Sequence, residues 1–171
     1  MNQTNDQEQT QPEEPRKIRE NEATQKVERE LLQVFLRYAQ HTDLVGEKLP
    51  RSYRLDFALY DQDGILRGWL ECKGREAPKR QKKYDSYMLA FAKWKCILLT
   101  KQTSKQPIYL VVGLPDGVWT VEVHGDLPVR YGRGGRTDRG DPEDTEPCVY
   151  IPMECFRQIA VLTKHGYKAL S

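Results

Sequence analysis

Long hydrophobic runs are missing from this sequence of 171 residues. Hydrophobic residues make up only 38% of it, and no run approaches the roughly 18 residues that a membrane-spanning helix needs. The first residues are polar, without the cationic start and apolar stretch of a secretory signal peptide. We therefore expect neither a membrane protein nor a protein secreted through a standard signal.

Cysteine and histidine are too few and too scattered to predict a zinc site. The four cysteines include no C-x-x-C pair, and the three histidines lie far apart in the sequence. An excess of one charge sign is also missing, because 27 basic residues nearly balance 25 acidic ones. A net charge of +2 identifies no partner but can conceal a local basic patch. Reduced thiols in a cytoplasm are the expected state.

The distribution of apolar residues predicts one domain after a disordered tail. Residues 1–20 carry too few hydrophobic side chains to offset chain entropy, whereas 21–171 form the domain. Its predicted elements are helices at 21–40, 84–99 and 152–166, strands at 53–60, 65–73, 108–112, 118–123 and 148–151, and a Gly/Arg-rich surface loop at 125–147. This order predicts an α/β fold with a mixed four- to five-stranded sheet flanked by helices.

Two acids are predicted to meet across the first hairpin. If Asp63-Gly64 is a two-residue turn, facing positions have numbers that sum to 127, which places Asp56 opposite Glu71. Opposed side chains lie roughly 4.5–5.5 Å apart at Cβ, so the two carboxylates need a cation between them. A hard metal ion fits, with Lys73 on the same face. A three-residue turn would separate the acids, and ordinary surface salt bridges with Arg54 and Lys73 are the other interpretation.

The first helix supplies a further acid. On a helical wheel Glu28 falls within the apolar stripe formed by residues such as Leu31 and Phe35, whereas Glu30 faces water. A glutamate on the buried side requires a partner. A metal held by Asp56 and Glu71 would be one such partner, and Arg54 or Lys73 would be another.

These residues resemble the PD-(D/E)XK nuclease superfamily. The likeness rests on Asp56, on the sequence Glu71-Cys72-Lys73 in the second strand of a hairpin, and on the preceding helix with its inward glutamate. The VEREL segment at 27–31 resembles the first helix of archaeal Holliday-junction resolvases, and the loop at 132–141 resembles small phage-encoded members in composition only. Leu55 stands where the superfamily motif often has proline. The resemblance implies a restriction-endonuclease-like core.

The resemblance also implies the roles of the site residues. Asp56 and Glu71 would bind Mg²⁺, with Mn²⁺ as a substitute, together with the backbone carbonyl of Cys72 and with support from Glu28. Lys73 would orient or deprotonate the attacking water and steady the scissile phosphate. Asp56, Glu71 and Lys73 are thus the expected catalytic residues. Hard oxygen-bound cations supply the hydroxide and the charge stabilisation that phosphodiester hydrolysis needs.

Two basic segments, residues 73–83 and the Gly/Arg-rich loop at 125–147, are candidates for contacts with a nucleic-acid backbone. Residues 73–83 contain six basic residues and one acid, directly after the expected catalytic strand. Solvated charge and internal ion pairs, particularly with the acids at 138–146, are the competing interpretations. The expected nucleic-acid-binding residues are Lys79, Arg80, Lys82, Lys83, Arg133 and Arg136.

The sequence as a whole favours a Mg²⁺-dependent DNA nuclease that hydrolyses phosphodiester bonds in phage DNA recombination, repair or processing. DNA is the expected partner and the host cytoplasm the expected location, and a homodimer remains an open alternative. The rival hypothesis is a catalytically silent nuclease fold that binds nucleic acid or protein. A virion or regulatory protein that inherited only the core is a third.

Overall fold

The helices and strands of this protein are taken from a computed structural model, which describes residues 22–74, 85–135 and 145–170. The helices in these ranges are α1 (Glu22–Tyr38) and α2 (Phe91–Ser104). The strands are β1 (Val45–Lys48), β2 (Phe57–Tyr60), β3 (Leu66–Gly74), β4 (Ser86–Ala90), β5 (Ile108–Leu114), β6 (Gly117–Glu122), β7 (Arg130–Gly135), β8 (Thr145–Pro152), β9 (Arg157–Thr163) and β10 (Gly166–Ala169). Within the same ranges neither helix has the length and apolar content to span a bilayer. The tail expected at 1–20 lies outside them.

Seven of the described strands form one mixed sheet. Their spatial order is β1-β2-β3-β5-β6-β9-β10, with β3 and β5 parallel and the other described neighbours antiparallel. The chain leaves β3 and returns to β5 through β4 and α2, because parallel neighbours need a crossover connection. The predicted α/β class is confirmed, and the sheet is compatible with a restriction-endonuclease-like core. It has more strands than the four or five expected.

Each face of the large sheet is covered by a separate apolar cluster. On one side α1 packs its stripe of Leu31, Leu32, Val34 and Phe35 against the sheet, as predicted for a helix at 21–40. On the other side lie α2 and the remaining three strands, contributing Trp94, Ile97, Tyr87, Leu89, Val149 and Ile151. A sheet buried on both faces leaves polar side chains in its central strands shielded from water, which matters for the acids of β3.

The remaining described strands form a small antiparallel sheet in the order β4-β8-β7. This sheet corrects the helix predicted at 84–99, since the segment begins as strand β4 and only then becomes α2. Tyr87 and Leu89 are buried while Met88 and Ala90 are less so, a period-two pattern that belongs to a strand. The strand at 148–151 is confirmed within β8. The stretch 125–147, expected as a loop, contains β7, and its residues 136–144 lie outside the described ranges.

The predicted final helix at 152–166 is wrong. The chain makes a short 3₁₀ turn at Met153–Cys155 and then forms β9 and β10. Strand β6 offers β9 a hydrogen-bonding edge, and Ile159 and Ala160 are buried against the α1 side of the sheet. Pairing with that edge outweighed the helix-start signal of Pro152.

The hairpin of β2 and β3 reaches the predicted register by an unpredicted route. Its turn has three residues rather than two, because Asp61 N–H donates to Ile65 O and Gly64 adopts a left-handed φ of 76°. That turn alone would shift the pairing by one. A bulge on β3 at Arg67 restores the predicted register. Phe57 therefore faces Leu70 and Leu59 faces Gly68, and the residue numbers of each pair sum to 127.

The second hairpin was predicted correctly, and its turn depends on one glycine. Leu114 faces Gly117 across a two-residue turn between β5 and β6. Gly117 has a φ of 146°, and a Cβ there would lie 2.0 Å from the carbonyl oxygen of Ala160 on β9. The small residue therefore allows the turn to sit directly against the neighbouring strand.

Gly117→Ala should destabilise the fold by about 1–3 kcal/mol, because the new methyl group can be accommodated only by moving backbone. Urea denaturation measures the effect. The matched control is Gly125→Ala, where a Cβ meets nothing within 4 Å, and its free energy of unfolding should stay within about 0.5 kcal/mol of wild type. Equal destabilisation by both changes would contradict the close packing of the turn.

Candidate active site

Asp56 lies immediately before β2 and reaches across to β3 with both backbone and side chain. Its N–H donates to the carbonyl oxygen of Leu70 at 3.0 Å, and its Oδ2 accepts the N–H of Cys72 at 2.8 Å. A 3₁₀ turn at Arg51–Tyr53, ending at left-handed Arg54, redirects the chain just before it. The strand predicted at 53–60 consequently begins only at Phe57.

The same turn changes the environment of Leu55. The alternation of Leu55, Phe57 and Leu59 in the sequence predicts that they share one face, but Leu55 belongs to the apolar cluster on the α2 side and the other two to the cluster on the α1 side. The two-residue alternation of a strand cannot be extended back through a left-handed residue such as Arg54. Asp56 therefore stands where the backbone changes direction.

Glu71 is completely buried in β3 and lies between two ammonium groups. Its Oε1 is 2.6 Å from Lys73 Nζ and 2.9 Å from Lys93 Nζ, and Lys93 also donates to Oε2 at 3.0 Å. Oε1 has no hydrogen bond of regular geometry, and these two ion pairs compensate its charge. Lys93 in addition donates to the carbonyl oxygen of Arg54.

Lys93 is a site residue that the sequence analysis missed. It lies in the first turn of α2, four residues before the fully buried Ile97 and therefore on the same side of the helix. A charged residue on the buried side of a helix indicates a partner inside the protein, and the same argument identified Glu28 from the sequence.

Glu28 is buried on α1 and is paired with a second unpredicted lysine. Lys48 Nζ lies 2.6 Å from Glu28 Oε2 and 3.4 Å from Asp56 Oδ1, so one ammonium bridges the two acids. Glu30 is exposed, which confirms the helical-wheel assignment of the two glutamates. Arg54 and Lys73 were the side chains expected as alternatives to a metal, but in the described ranges the ion pair of Glu28 is with Lys48. The strand carrying Lys48, β1, was not predicted.

The three carboxylates and three ammonium groups form two sets of ion pairs. Lys48 bridges Glu28 and Asp56, whereas Lys73 and Lys93 both contact Glu71. Asp56 reaches the strand of Glu71, because its Oδ2 accepts the N–H of Cys72, the residue next to Glu71. Burial raises the pKa of the Cys72 thiol, and the negative charges of Asp56, Glu71 and Glu28 raise it further.

The pKa directions of Glu71 and Lys73 show which neighbouring charges stabilise each group and which oppose it. Burial raises the pKa of Glu71, the Lys73 charge opposes that rise, and repulsion from Asp56 adds to it. For Lys73, burial alone would lower the pKa, but the carboxylates of Glu71 and Asp56 outweigh burial and raise it. Lys73 is consequently an ammonium group at neutral pH in this arrangement. It is suited to contacting an anion.

The oxygen atoms of this site fit a hard divalent cation. In the described ranges no three Asp, Glu, His or Cys side chains approach closely enough to form a ready-made metal cluster. Asp56 and Glu71 nevertheless present carboxylate oxygens, and the buried Oε1 of Glu71 has no hydrogen bond. Both acids already attract cations, in the form of ammonium groups. Carboxylate and carbonyl oxygens are the ligands that Mg²⁺ and Mn²⁺ prefer.

A cleft of about 470 Å³ opens beside Glu28, between α1 and the ends of β3 and β5. Its walls include Glu28, Cys72 and Lys73. The cleft gives this end of β3 access to a ligand from the α1 side. Lys93 approaches Glu71 from the opposite face of the sheet.

Most of the expected nucleic-acid-binding residues lie outside the described ranges. These are Lys79, Arg80, Lys82, Lys83 and Arg136. Arg133 is described, as an exposed residue of β7 whose backbone carbonyl accepts the hydroxyl of Tyr150 at 2.8 Å. Its side chain is thus available at the protein surface.

Comparison with known proteins identifies one family. The family model described as "Phage putative PDDEXK endonuclease" matches residues 15–159, which include every residue of the site. The three acids, Lys73 and both additional lysines all fall inside that match. No curated protein shows significant sequence similarity to this chain.

Lys93→Met should destabilise the protein by about 1–3 kcal/mol, because Glu71 would lose one of its two cationic partners in a fully buried position. Urea denaturation at neutral pH measures the loss. Lys95→Met, an exposed lysine on the same helix, is the matched control and should change stability by less than about 0.5 kcal/mol. Similar losses in both variants would show that Lys93 does not support Glu71.

Proposed function

This chain belongs to the phage PDDEXK endonuclease family whose model it matches, and we propose that it is a metal-dependent DNA nuclease. The proposed reaction is hydrolysis of phosphodiester bonds, in recombination, repair or processing of phage DNA in the host cytoplasm. The observation that carries the proposal is the chain of contacts at β3: Asp56 accepts the N–H of Cys72, Lys48 joins Asp56 to Glu28, and Lys73 pairs with Glu71.

In this proposal Asp56 and Glu71 hold Mg²⁺ or Mn²⁺, with the carbonyl oxygen of Cys72 as a further ligand. The bound cation would supply a more acidic water and charge stabilisation at the phosphoryl oxygens. Glu28 supports the site from α1. These assignments are supported by the hard oxygen donors and by the buried Glu71 oxygen that lacks a hydrogen bond.

Lys73 would contact the scissile phosphate and orient the attacking water. Its ammonium group lies 2.6 Å from Glu71 Oε1, so it is positioned beside the proposed metal ligand. Phosphoryl transfer gains most from cations that are already in place when charge develops on the phosphate oxygens. The basic residues Lys79, Arg80, Lys82, Lys83, Arg133 and Arg136 would contact the DNA backbone elsewhere.

Lys48 and Lys93 would neutralise the acids while no metal is bound. A cation that binds Asp56 and Glu71 competes with these two lysines for the same oxygen atoms. The folded protein therefore tolerates three clustered carboxylates without a metal. Competition of this kind lowers the metal affinity below that of an uncompensated pair of carboxylates.

The same charge balance favours a second candidate function. A nuclease fold whose acids are all paired with lysines is stable without metal and can act as a silent module that binds nucleic acid or protein. The two candidates differ in a single measurable property. The enzyme cuts DNA when Mg²⁺ is present, whereas the module never does.

Lys73→Ala should lower the rate of DNA cleavage by about 100-fold or more while DNA affinity changes only a few fold, because one phosphate contact is a small part of a multi-lysine interaction. Plasmid, linear, single-stranded and four-way-junction DNA should be incubated with Mg²⁺ or with chelator. Lys95→Ala serves as the control and should cut normally. A wild-type protein that cuts no DNA form with Mg²⁺ would establish the silent module instead.

Glu28→Gln should weaken Mn²⁺ binding and slow cleavage, since Glu28 is buried beside Asp56 through their shared lysine. Isothermal calorimetry reports the binding, and melting temperature with and without metal gives an independent measure. Glu30→Gln, exposed and about 200° further around α1, should leave both properties unchanged. Equal effects of the two substitutions would refute the supporting role of Glu28.

A further inference from the structure

Two exposed aromatic side chains meet close to the proposed active site. Phe91 begins α2 and Tyr131 lies on the edge strand β7, with ring centroids 6.1 Å apart and an interplanar angle of 70°. They keep 40% and 60% of their surface accessible to water. Large exposed aromatic groups in contact with one another commonly mark a binding surface.

Helix α2 carries both this aromatic pair and one partner of the acids. Phe91 is two residues before Lys93, which corresponds to about 3 Å along the helix axis, and Lys93 contacts Glu71. Residues two apart on a helix point to different sides, so the pair lies at the same end of α2 as Lys93 without covering Glu71, which is completely buried.

The strand β7 places a basic side chain next to the aromatic pair. Arg133 follows Tyr131 by two residues, so both lie on the same face of the strand. The opposite face has Gly132 and Gly134, which leave room for the ring of Tyr150, and Arg130 lies 4.6 Å from the centroid of that ring. One face of β7 therefore presents Tyr131 and Arg133, and the other face holds Arg130 over the Tyr150 ring.

We propose that Phe91 and Tyr131 form a stacking platform for unpaired nucleobases of the DNA substrate, with Arg133 contacting its phosphates. This inference rests on the proposed nuclease function and names the substrate class: DNA that contains single-stranded nucleotides. Aromatic faces bind any base by stacking, while neighbouring cations follow the backbone. Bases paired within an intact duplex would be unable to reach the platform.

The test is a binding measurement in chelator, where no metal-dependent cleavage occurs. A fluorescently labelled single-stranded oligonucleotide and the blunt duplex of the same sequence are titrated with wild type, Phe91→Ala and Tyr131→Ala. We expect each variant to lose about fivefold or more in affinity for the single strand, as the removal of one stacking ring implies. Affinity for the duplex should change less than twofold.

Two control variants keep the interpretation specific. Leu99→Ala removes a side chain of 58% exposure from the same helix, away from β7, and should bind both DNA forms like wild type. Tyr131→Phe retains the ring and should restore single-strand binding. Melting temperatures of all variants verify that each is folded.

Three results would overturn the platform: wild type that fails to bind the single strand, unchanged affinity in both alanine variants, or equal losses for single strand and duplex. A change of oligomeric state in Tyr131→Ala with unchanged DNA affinity would assign the pair to self-association and also overturn it. Failure of the nuclease proposal is seen separately, as absence of cleavage by wild type with Mg²⁺. Stacking that persists without cleavage would leave the platform standing and remove only the enzyme.

Discussion

The burial of one carboxylate governs the arrangement of this site. Glu71 lies in a strand covered on both faces, so its charge is stable only if cations reach it within the protein. Lys73 lies on the same strand as Glu71, whereas Lys93 reaches Glu71 only because α2 begins at Phe91. The crossover from β3 to β5 is thereby tied to the electrostatics of Glu71 as well as to apolar packing.

A fold that satisfies its acids with lysines differs from one that relies on metal to hold them together. Lys48 joins α1 to the segment before β2 through Glu28 and Asp56, and Lys93 joins α2 to β3. The ion pairs therefore link the two layers of helices through the sheet. Removing a lysine should disturb both the architecture and the chemistry, and substitutions at these positions need a stability measurement beside any activity assay.

The sequence was sufficient to predict what depends on local patterns. The α1 stripe, the inward Glu28 and the second hairpin follow from periodicity and turn residues. The register at Phe57 was predicted correctly although the two-residue turn used to derive it is wrong. The small sheet, β9 and the two additional lysines did not follow, because each depends on a partner distant in sequence. The spacing of Tyr87 and Leu89 is compatible with a helix or a strand, and pairing with β8 decides for the strand. Lys48 is recognisable as a site residue only from its contact with Glu28, which is distant in sequence. The three-residue turn illustrates the same point, since a bulge at Arg67 cancelled the shift that it introduced.

The pairing of every acid with a lysine has a thermodynamic consequence for two ligands at once. On the proposed function, a divalent cation bound by Asp56 and Glu71 would weaken the ion pairs that these acids make with Lys48 and Lys93, whose charges would then attract a phosphate backbone. Reciprocity of binding free energies requires DNA, in turn, to raise the affinity of the protein for the metal by the same factor. On the proposed function, the charge-neutral cluster makes metal and nucleic acid cooperative ligands, so the free protein would hold its metal weakly and acquire it together with its substrate.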